Sequence, residues 1–265
     1  MWGQSKMNQG WKRKLIALSA AFGLVGITAG AAWSAGDVAV PEKQNWSHLG
    51  ITGTFDRAAA QRGFQVYKEV CSACHAMHLV SYRNLADLGY SEAQVKAIAA
   101  QYEVQDGPND EGEMFTRPAR PSDRFKSPFA NDQAARSANG GALPPDLSLM
   151  VKARAHGEDY VYALLTGYSD PPEGHAVPEG KYYNKYFPGG AIAMPPPLSD
   201  GAVTYQDGTE ASAKQMAHDV TTFLAFTAEP KIEARHRMGV IVISFLVVFT
   251  GILFAVYKRV WRNVH

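Results

Sequence analysis

Cys71-Ser72-Ala73-Cys74-His75 is the stretch on which the reading of this chain turns. Two thiols three residues apart on one helical turn can both reach the edge of a porphyrin and form thioethers with its two vinyl groups. The adjacent imidazole can then turn onto the iron. In an exported chain this spacing reads as attachment of one c-type heme. A zinc site would want a second cysteine pair, and these are the only two cysteines in the sequence. A thioredoxin-like dithiol would want a strand-turn-helix context. Here a helical pattern leads into the motif, with Phe64, Tyr67 and Val70 recurring at every third position over Ala59 to Val70.

Outward from the motif, the sequence predicts a mainly α chain. Ser91 to Tyr102 opens with a capping box, Ser91 and Gln94. Gly157 to Leu165 is a further helix, ending at Gly167. Ser212 to Thr227 is the last before the C-terminal segment, with Met216, Val220, Phe223 and Leu224 as its stripe and Pro230 after its end. No internal repeat and no sustained strand alternation is visible. Between the helices run long loops: Asp106 to Ser148 holds ten Gly or Pro in 43 residues, with one short helix expected near Gln133 to Ala138, and Tyr168 to Asp200 holds seven prolines and four glycines. Loops of that length are uncommon in compact domains unless they bind something, and here they are expected to wrap a prosthetic group and meet partner subunits.

The sixth iron position is approached by elimination. Met1 and Met7 lie in the N-terminal segment, Met238 at the membrane, Met77 too near His75 to cross the ring, and Met216 on a core stripe. Met114 and Met150 remain open. Met194 stands in Gly189-Gly190-Ala191-Ile192-Ala193-Met194-Pro195-Pro196-Pro197, where prolines fix the backbone, and such a stiff loop can hold a thioether against iron. His156, His175 and His218 read better as solvated or core histidines. A thioether and an imidazole together fill both axial sites, which suits electron transfer rather than oxygen chemistry.

The two ends set the topology. Lys12-Arg13-Lys14, the apolar run Leu15 to Ile27 and the small residues from Ala29 to Ala35 have the three parts of a secretory signal, so residues 1–35 are expected to be cleaved. An uncleaved anchor would export residue 36 onward just the same. Gly239 to Tyr257 is a 19-residue stretch without a charge, long enough at about 1.5 Å per residue to span a hydrocarbon core of about 30 Å. Three basic residues lie near each end of it, so the export of the N-terminal side decides the orientation. The expected organisation is a signal at 1–35, a periplasmic domain at 36–231 and a membrane anchor at 232–265 with a cytoplasmic tail.

Charge and composition agree. At 46% hydrophobic and 19% charged, the 265 residues are too apolar for a disordered chain. Two cysteines exclude a disulfide scaffold. The net charge of +1 hides an asymmetry: residues 1–35 and 232–265 carry +4 each, leaving −7 for 36–231. A nucleic-acid binder would show the opposite sign. Glu103, Asp106, Asp110, Glu111 and Glu113 place five acids in 11 residues with no base among them, and Asp170, Glu173 and Glu179 lie in the other long loop. They make either a solvated face or a docking field for a basic partner.

Gly63-Phe64-Gln65-Val66-Tyr67-Lys68 running into Cys71, Val104-Gln105-Asp106-Gly107-Pro108-Asn109, Gly141-Ala142-Leu143-Pro144-Pro145-Asp146-Leu147-Ser148, Gly157-Glu158-Asp159-Tyr160-Val161 and the Met194 loop together resemble the cytochrome c1 family, the heme subunits of cytochrome bc1 complexes. The resemblance runs from about Trp46 to the C-terminal anchor. It implies a class I cytochrome c core with long loop insertions and one C-terminal transmembrane helix. It implies heme c held through Cys71 and Cys74, with His75 and Met194 as axial ligands. It implies further that Arg154 pairs with a heme propionate and that Asn139, Pro144 and Tyr160 line the pocket. Some bacterial relatives carry an extra cysteine pair that clamps the region before the ligand methionine; this chain has none, so packing must hold its loop.

The function so implied is single-electron transfer from a Rieske iron–sulfur protein to a soluble basic cytochrome c, within a dimeric quinol:cytochrome c oxidoreductase. Cytochrome b would oxidise the quinol, and this chain would need no catalytic acid, base or nucleophile. The short signal favours a bacterial inner membrane with the heme domain in the periplasm. Two rivals are an anchored cytochrome c subunit of a terminal or nitric oxide reductase, and a heme enzyme or gas sensor with an open iron position.

Overall fold

The computed structural model describes residues 38–263. The expected signal, residues 1–35, lies outside them. Helix α1 (Arg57–Glu69) begins two residues before the apolar pattern does, because the Asp56 carboxylate caps it by accepting from the Ala59 N–H at 3.0 Å. Helix α5 (Ala213–Ala228) starts where its cap predicts, with Ser212 Oγ accepting from the Gln215 N–H at 3.2 Å. These two helices pack against each other as the centre of the domain. Met216, Val220 and Phe223 of α5 meet Phe64, Val66 and Tyr67 of α1 in one apolar cluster, all buried. Met216 is fully buried, as its stripe predicts.

The crossing is close because residue 63 has no side chain. A Cβ placed on Gly63 would sit 2.0 Å from the Asp219 carbonyl oxygen on α5. Beside this point the buried Asp219 carboxylate accepts from Arg62 Nε at 2.8 Å, Arg62 Nη2 at 3.1 Å and Gln215 Nε2 at 3.0 Å. Burial opposes its ionisation, but His218 and Arg62 outweigh that and hold the carboxyl below its usual range. A buried carboxylate satisfied on this many sides tolerates loss of neither partner.

Around this pair the remaining elements are short. Helix α2 (Glu92–Ala99) carries the predicted capping box but stops three residues early, where the chain turns into strand β1 (Glu103–Asp106). Strand β1 pairs antiparallel with β2 (Phe115–Pro118), Glu103 facing Pro118 and Asp106 facing Phe115. Helix α3 (Asp132–Ala138) falls where the short loop helix is expected. Helix α4 (Gly157–Thr166) is followed by a second two-stranded hairpin, β3 (Tyr182–Tyr183) with β4 (Ala191–Ile192). Strands of four and two residues are too brief to leave an alternation in the sequence. A 3₁₀ segment of just over two turns, Tyr82–Leu88, also has no sequence signal, although Tyr82, Leu85 and Leu88 are buried.

Helix α6 (Ile232–Val260) is longer than the apolar span because its first turn belongs to the domain. Glu233 accepts from the Phe55 N–H and from Arg57 Nη1, both at 2.8 Å, and from Arg57 Nη2 at 2.9 Å. The His236 ring donates through Nδ1 to the Gly53 carbonyl at 3.1 Å, Ile232 is buried, and Arg235 pairs with Glu229. Beyond that turn the helix stands bare. With its 3₁₀ end it covers 32 residues with a mean hydropathy of 2.8 in its most apolar window, long and apolar enough to cross a membrane.

Gly63→Ala should therefore push α1 and α5 apart and cost on the order of 2–3 kcal/mol, as overpacking against rigid backbone does. The thermal midpoint of the full chain should fall by roughly 5–10 °C. Gly239→Ala, where a Cβ would meet nothing within 4 Å, should leave it in place.

Candidate heme-attachment site

Cys71 follows α1 after the single capping residue Val70 and opens a 3₁₀ turn, Cys71–Ala73. The Cys71 carbonyl accepts from both the Cys74 N–H at 3.1 Å and the His75 N–H at 2.9 Å, so the two thiols and the imidazole issue from one tight turn. Both cysteines are free, Cys71 half-buried and Cys74 exposed. Burial, with a lesser contribution from Cys74, pushes the Cys71 thiol up to about 12. That is the reverse of a reactive dithiol, whose attacking sulfur is activated by a lowered pKa. Among the described residues no three His, Cys, Asp or Glu side chains gather in a group that could hold a metal ion.

The His75 ring is held from one side. Its Nδ1–H donates to the Pro145 carbonyl at 2.8 Å, a bond that fixes the tautomer and leaves Nε2 as the free lone pair. Burial lowers the imidazole below its usual value by more than the Pro145 carbonyl raises it, which favours the neutral, ligating form. The Tyr67 hydroxyl of α1 donates to the His75 carbonyl at 3.3 Å.

Pro145 belongs to the stretch Gly141 to Ser148, which lies alongside the residues after His75. The Leu147 N–H donates to the Ala76 carbonyl at 2.9 Å, the His78 N–H to Asp146 Oδ2 at 2.7 Å and the Leu79 N–H to Ser148 Oγ at 3.1 Å. The other Asp146 oxygen accepts from the Ser148 N–H at 2.8 Å. This lacing leaves Leu79, Leu143 and Leu149 exposed. Two free thiols, an imidazole with one ring nitrogen pinned, and bare leucines on the neighbouring segments are the donor set and apolar surround that a covalently attached porphyrin needs.

Met194 lies two residues past β4 and is half-buried. The Tyr168 hydroxyl donates to its carbonyl at 3.1 Å. The hairpin that leads to it is tied back to α4: Asn184, fully buried, donates through Nδ2 to the Leu164 carbonyl at 2.7 Å and accepts at Oδ1 from the Tyr186 N–H at 3.1 Å. Neither Tyr168 nor Asn184 belongs to any motif, and no spacing in the sequence singles them out. Met114 is 58% exposed just before β2, and Met150 is half-buried against the core.

The other residues implied for the pocket divide. Arg154 and Tyr160 are neighbours: burial raises the Tyr160 phenol, and the nearby Arg154 guanidinium partly offsets this. Arg154 itself is exposed, its Nη1 donating to the Ala153 carbonyl at 3.0 Å, while Lys152 is engaged with Glu229 at 2.7 Å. Pro144 is half-buried in the laced stretch beside Pro145. Asn139 is the C-cap of α3, its Nδ2 donating to the Ala135 carbonyl at 2.7 Å. Of the histidines, His218 stacks on Trp46 with centroids 4.7 Å apart, His175 packs edge-on to Tyr183, and His156 caps α4 with φ at +65°.

Comparison with known proteins gives a consistent picture. The sequence profile of the Cytochrome C1 family matches residues 46–264. The chain is 48% identical over 269 residues to cytochrome c1 of Rhodospirillum rubrum, covering 96% of this chain and 97% of that one. It is 59% identical over 194 residues to the mitochondrial heme protein cytochrome c1-2 of Solanum tuberosum, covering 73% and 75%. It is 53% identical over 247 residues to cytochrome b/c1 of Bradyrhizobium diazoefficiens, covering 85% of this chain but only 36% of that longer protein.

Asp146 carries one bond that holds the Pro145 stretch against the His75 segment, from the His78 N–H, and one that orders the stretch itself, from the Ser148 N–H. Bonds to a charged acceptor contribute about 1.5–3 kcal/mol each. Asp146→Ala should lower the thermal midpoint of the full chain, and hydrogen exchange should show the His78 and Ser148 amides losing protection by about tenfold or more, while amides in the α1–α5 crossing keep theirs.

Proposed function

The chain belongs to the Cytochrome C1 family, and from that membership we propose that it is the membrane-anchored heme subunit that relays single electrons from a Rieske iron–sulfur protein to a soluble basic cytochrome c. Its fold is mainly α, a class I cytochrome c core enlarged by loops and ending in one long apolar helix. Residues 1–35 act as a signal, 36–231 as a periplasmic domain and 232–265 as the anchor, with the C-terminus in the cytoplasm of a bacterium. Cytochrome b and the Rieske protein are its partners in a dimeric complex.

Heme c supplies a one-electron iron couple. Cys71 and Cys74 would hold it through thioethers, and the His75 imidazole and the Met194 thioether are the side chains that would ligate its iron. His75 presents Nε2 because the Pro145 carbonyl occupies Nδ1, and this pinned imidazole on the turn of two free thiols is the observation that carries the reading. With an imidazole and a thioether both engaged, the iron would keep no open position, which is why the open-iron enzyme or sensor is the weaker alternative. Arg154, exposed beside Tyr160, is read as the partner of a heme propionate, in keeping with its free charge at the surface. The family match likewise weighs against a subunit of a terminal or nitric oxide reductase.

The acceptor is proposed to meet the β1–β2 hairpin. Pairing of the strands brings Arg117 onto Asp106, which lowers that carboxyl and takes it out of the acidic field counted from sequence. Glu103, Asp110, Glu111 and Glu113 remain exposed. At the hairpin tip the Asn109 side-chain oxygen accepts from the Glu111 N–H at 3.1 Å and the Glu113 N–H at 2.8 Å, holding both acids on an ordered turn.

Two measurements test this function. Cys71→Ala or Cys74→Ala should leave one thioether, seen as a shift of the heme absorption in alkaline pyridine; an unshifted spectrum overturns the two-thioether attachment. Electron transfer to a basic cytochrome c should slow as salt rises and the screening length falls below about 10 Å, because steering raises on-rates by roughly 10 to 10³ at low ionic strength. Glu111→Gln with Glu113→Gln should flatten that slope and leave the heme spectrum unchanged. If the slope persists, the hairpin is a solvated face and the acceptor docks elsewhere.

A further inference from the structure

We propose that Tyr168 and Asn184 are positioning residues for Met194, a hydrogen-bonded clamp that fixes the methionine loop to helix α4 in a chain with no cysteine pair to do so. The proposal rests on the reading of Met194 as an axial ligand.

The loop around Met194 has few means of holding itself. Three of the next residues, Pro195, Pro196 and Pro197, have no N–H to donate, and β4 is two residues long. What fixes it comes from outside. The Tyr168 hydroxyl donates directly to the Met194 carbonyl at 3.1 Å. Tyr168 stands two residues past the end of α4, and its backbone forms an antiparallel bridge with Asn184.

Asn184 anchors the other side. Its amide reaches the Leu164 carbonyl, one of those in the last turn of α4 that have no partner within the helix. Its backbone N–H donates to the Gly190 carbonyl at 2.9 Å, closing the hairpin from within. The approach leaves no room at the helix end: a Cβ on Gly167 would lie 2.5 Å from the Tyr186 ring. Because α4 packs on α5 and α5 on α1, the clamp refers the Met194 loop to the same helices that present Cys71 and His75. A fully buried asparagine with both ends of its amide engaged is costly to disturb and gives the loop one register.

The test uses the heme-loaded full chain in three variants, Tyr168→Phe, Asn184→Ser and Met194→Leu, with Tyr182→Phe, an exposed tyrosine of the same hairpin, as reference. The readouts are the far-red methionine–iron charge-transfer band of the oxidised protein and the rate of carbon monoxide binding to the reduced protein, which requires the methionine to leave. Tyr168→Phe removes one oxygen atom and should keep the band while speeding carbon monoxide binding about fivefold, the population change expected for one lost hydrogen bond. Asn184→Ser should do more and should also bleach the band at a lower temperature. Tyr182→Phe should match wild type. Wild-type binding rates in Tyr168→Phe overturn the clamp, and they do so even if Asn184→Ser fails to fold. If wild type shows no band and Met194→Leu changes neither readout, Met194 is not the ligand, and the clamp falls with that reading.

Discussion

The hydrogen bond from the His75 ring to the Pro145 carbonyl joins residues 70 apart in the sequence, and the site depends on it. Without it the imidazole is a half-buried ring free to choose its tautomer. With it, one nitrogen is committed and the other is presented. The bond can form only because Asp146, Leu147 and Ser148 are laced to the backbone from Ala76 to Leu79, and because α1 delivers Cys71 at a fixed end. That end is fixed in turn by the crossing of α1 with α5, where Gly63 lets two backbones approach and Arg62 neutralises the buried Asp219 beside it.

What was legible in the sequence is what short spacing encodes. The thiols and imidazole at 71, 74 and 75 declare themselves because all three sit on one turn. The capping box at Ser91 and Gln94 forms as read, with Ser91 Oγ accepting from the Gln94 N–H and the Gln94 amide oxygen from the Ser91 N–H. The stripe of α5 is buried where its period predicts. The unread parts are those whose meaning lies in a distant partner. Trp46 donates to Asp159, 113 residues away, and His48 meets Glu158, 110 away, so the N-terminal strap before α1 is tied to α4 with nothing local to announce it. Asn184 looks like any loop asparagine until the α4 carbonyl is placed against it.

Charge shows the same division. A run of five acids counts as −5 in the sequence, yet folding the hairpin sets Arg117, outside the run, between Asp106 and Asp123. The count of a segment is therefore an upper bound on the field it projects, since tertiary pairing screens some of its members at short range. The four acids left exposed on the hairpin are the ones a partner in solution would sense.

The first turn of α6 is bolted to the domain through Glu233, His236 and Ile232, rather than joined to it by a slack tether. Were the apolar helix to cross a membrane, as its length and composition allow, these bonds would hold the domain to it at its first turn. A partner confined to the same membrane would then search for it in a plane instead of a volume. The reach of the domain is then set by that first turn, whose bonds run from Glu233 and His236 back to Phe55, Arg57 and Gly53.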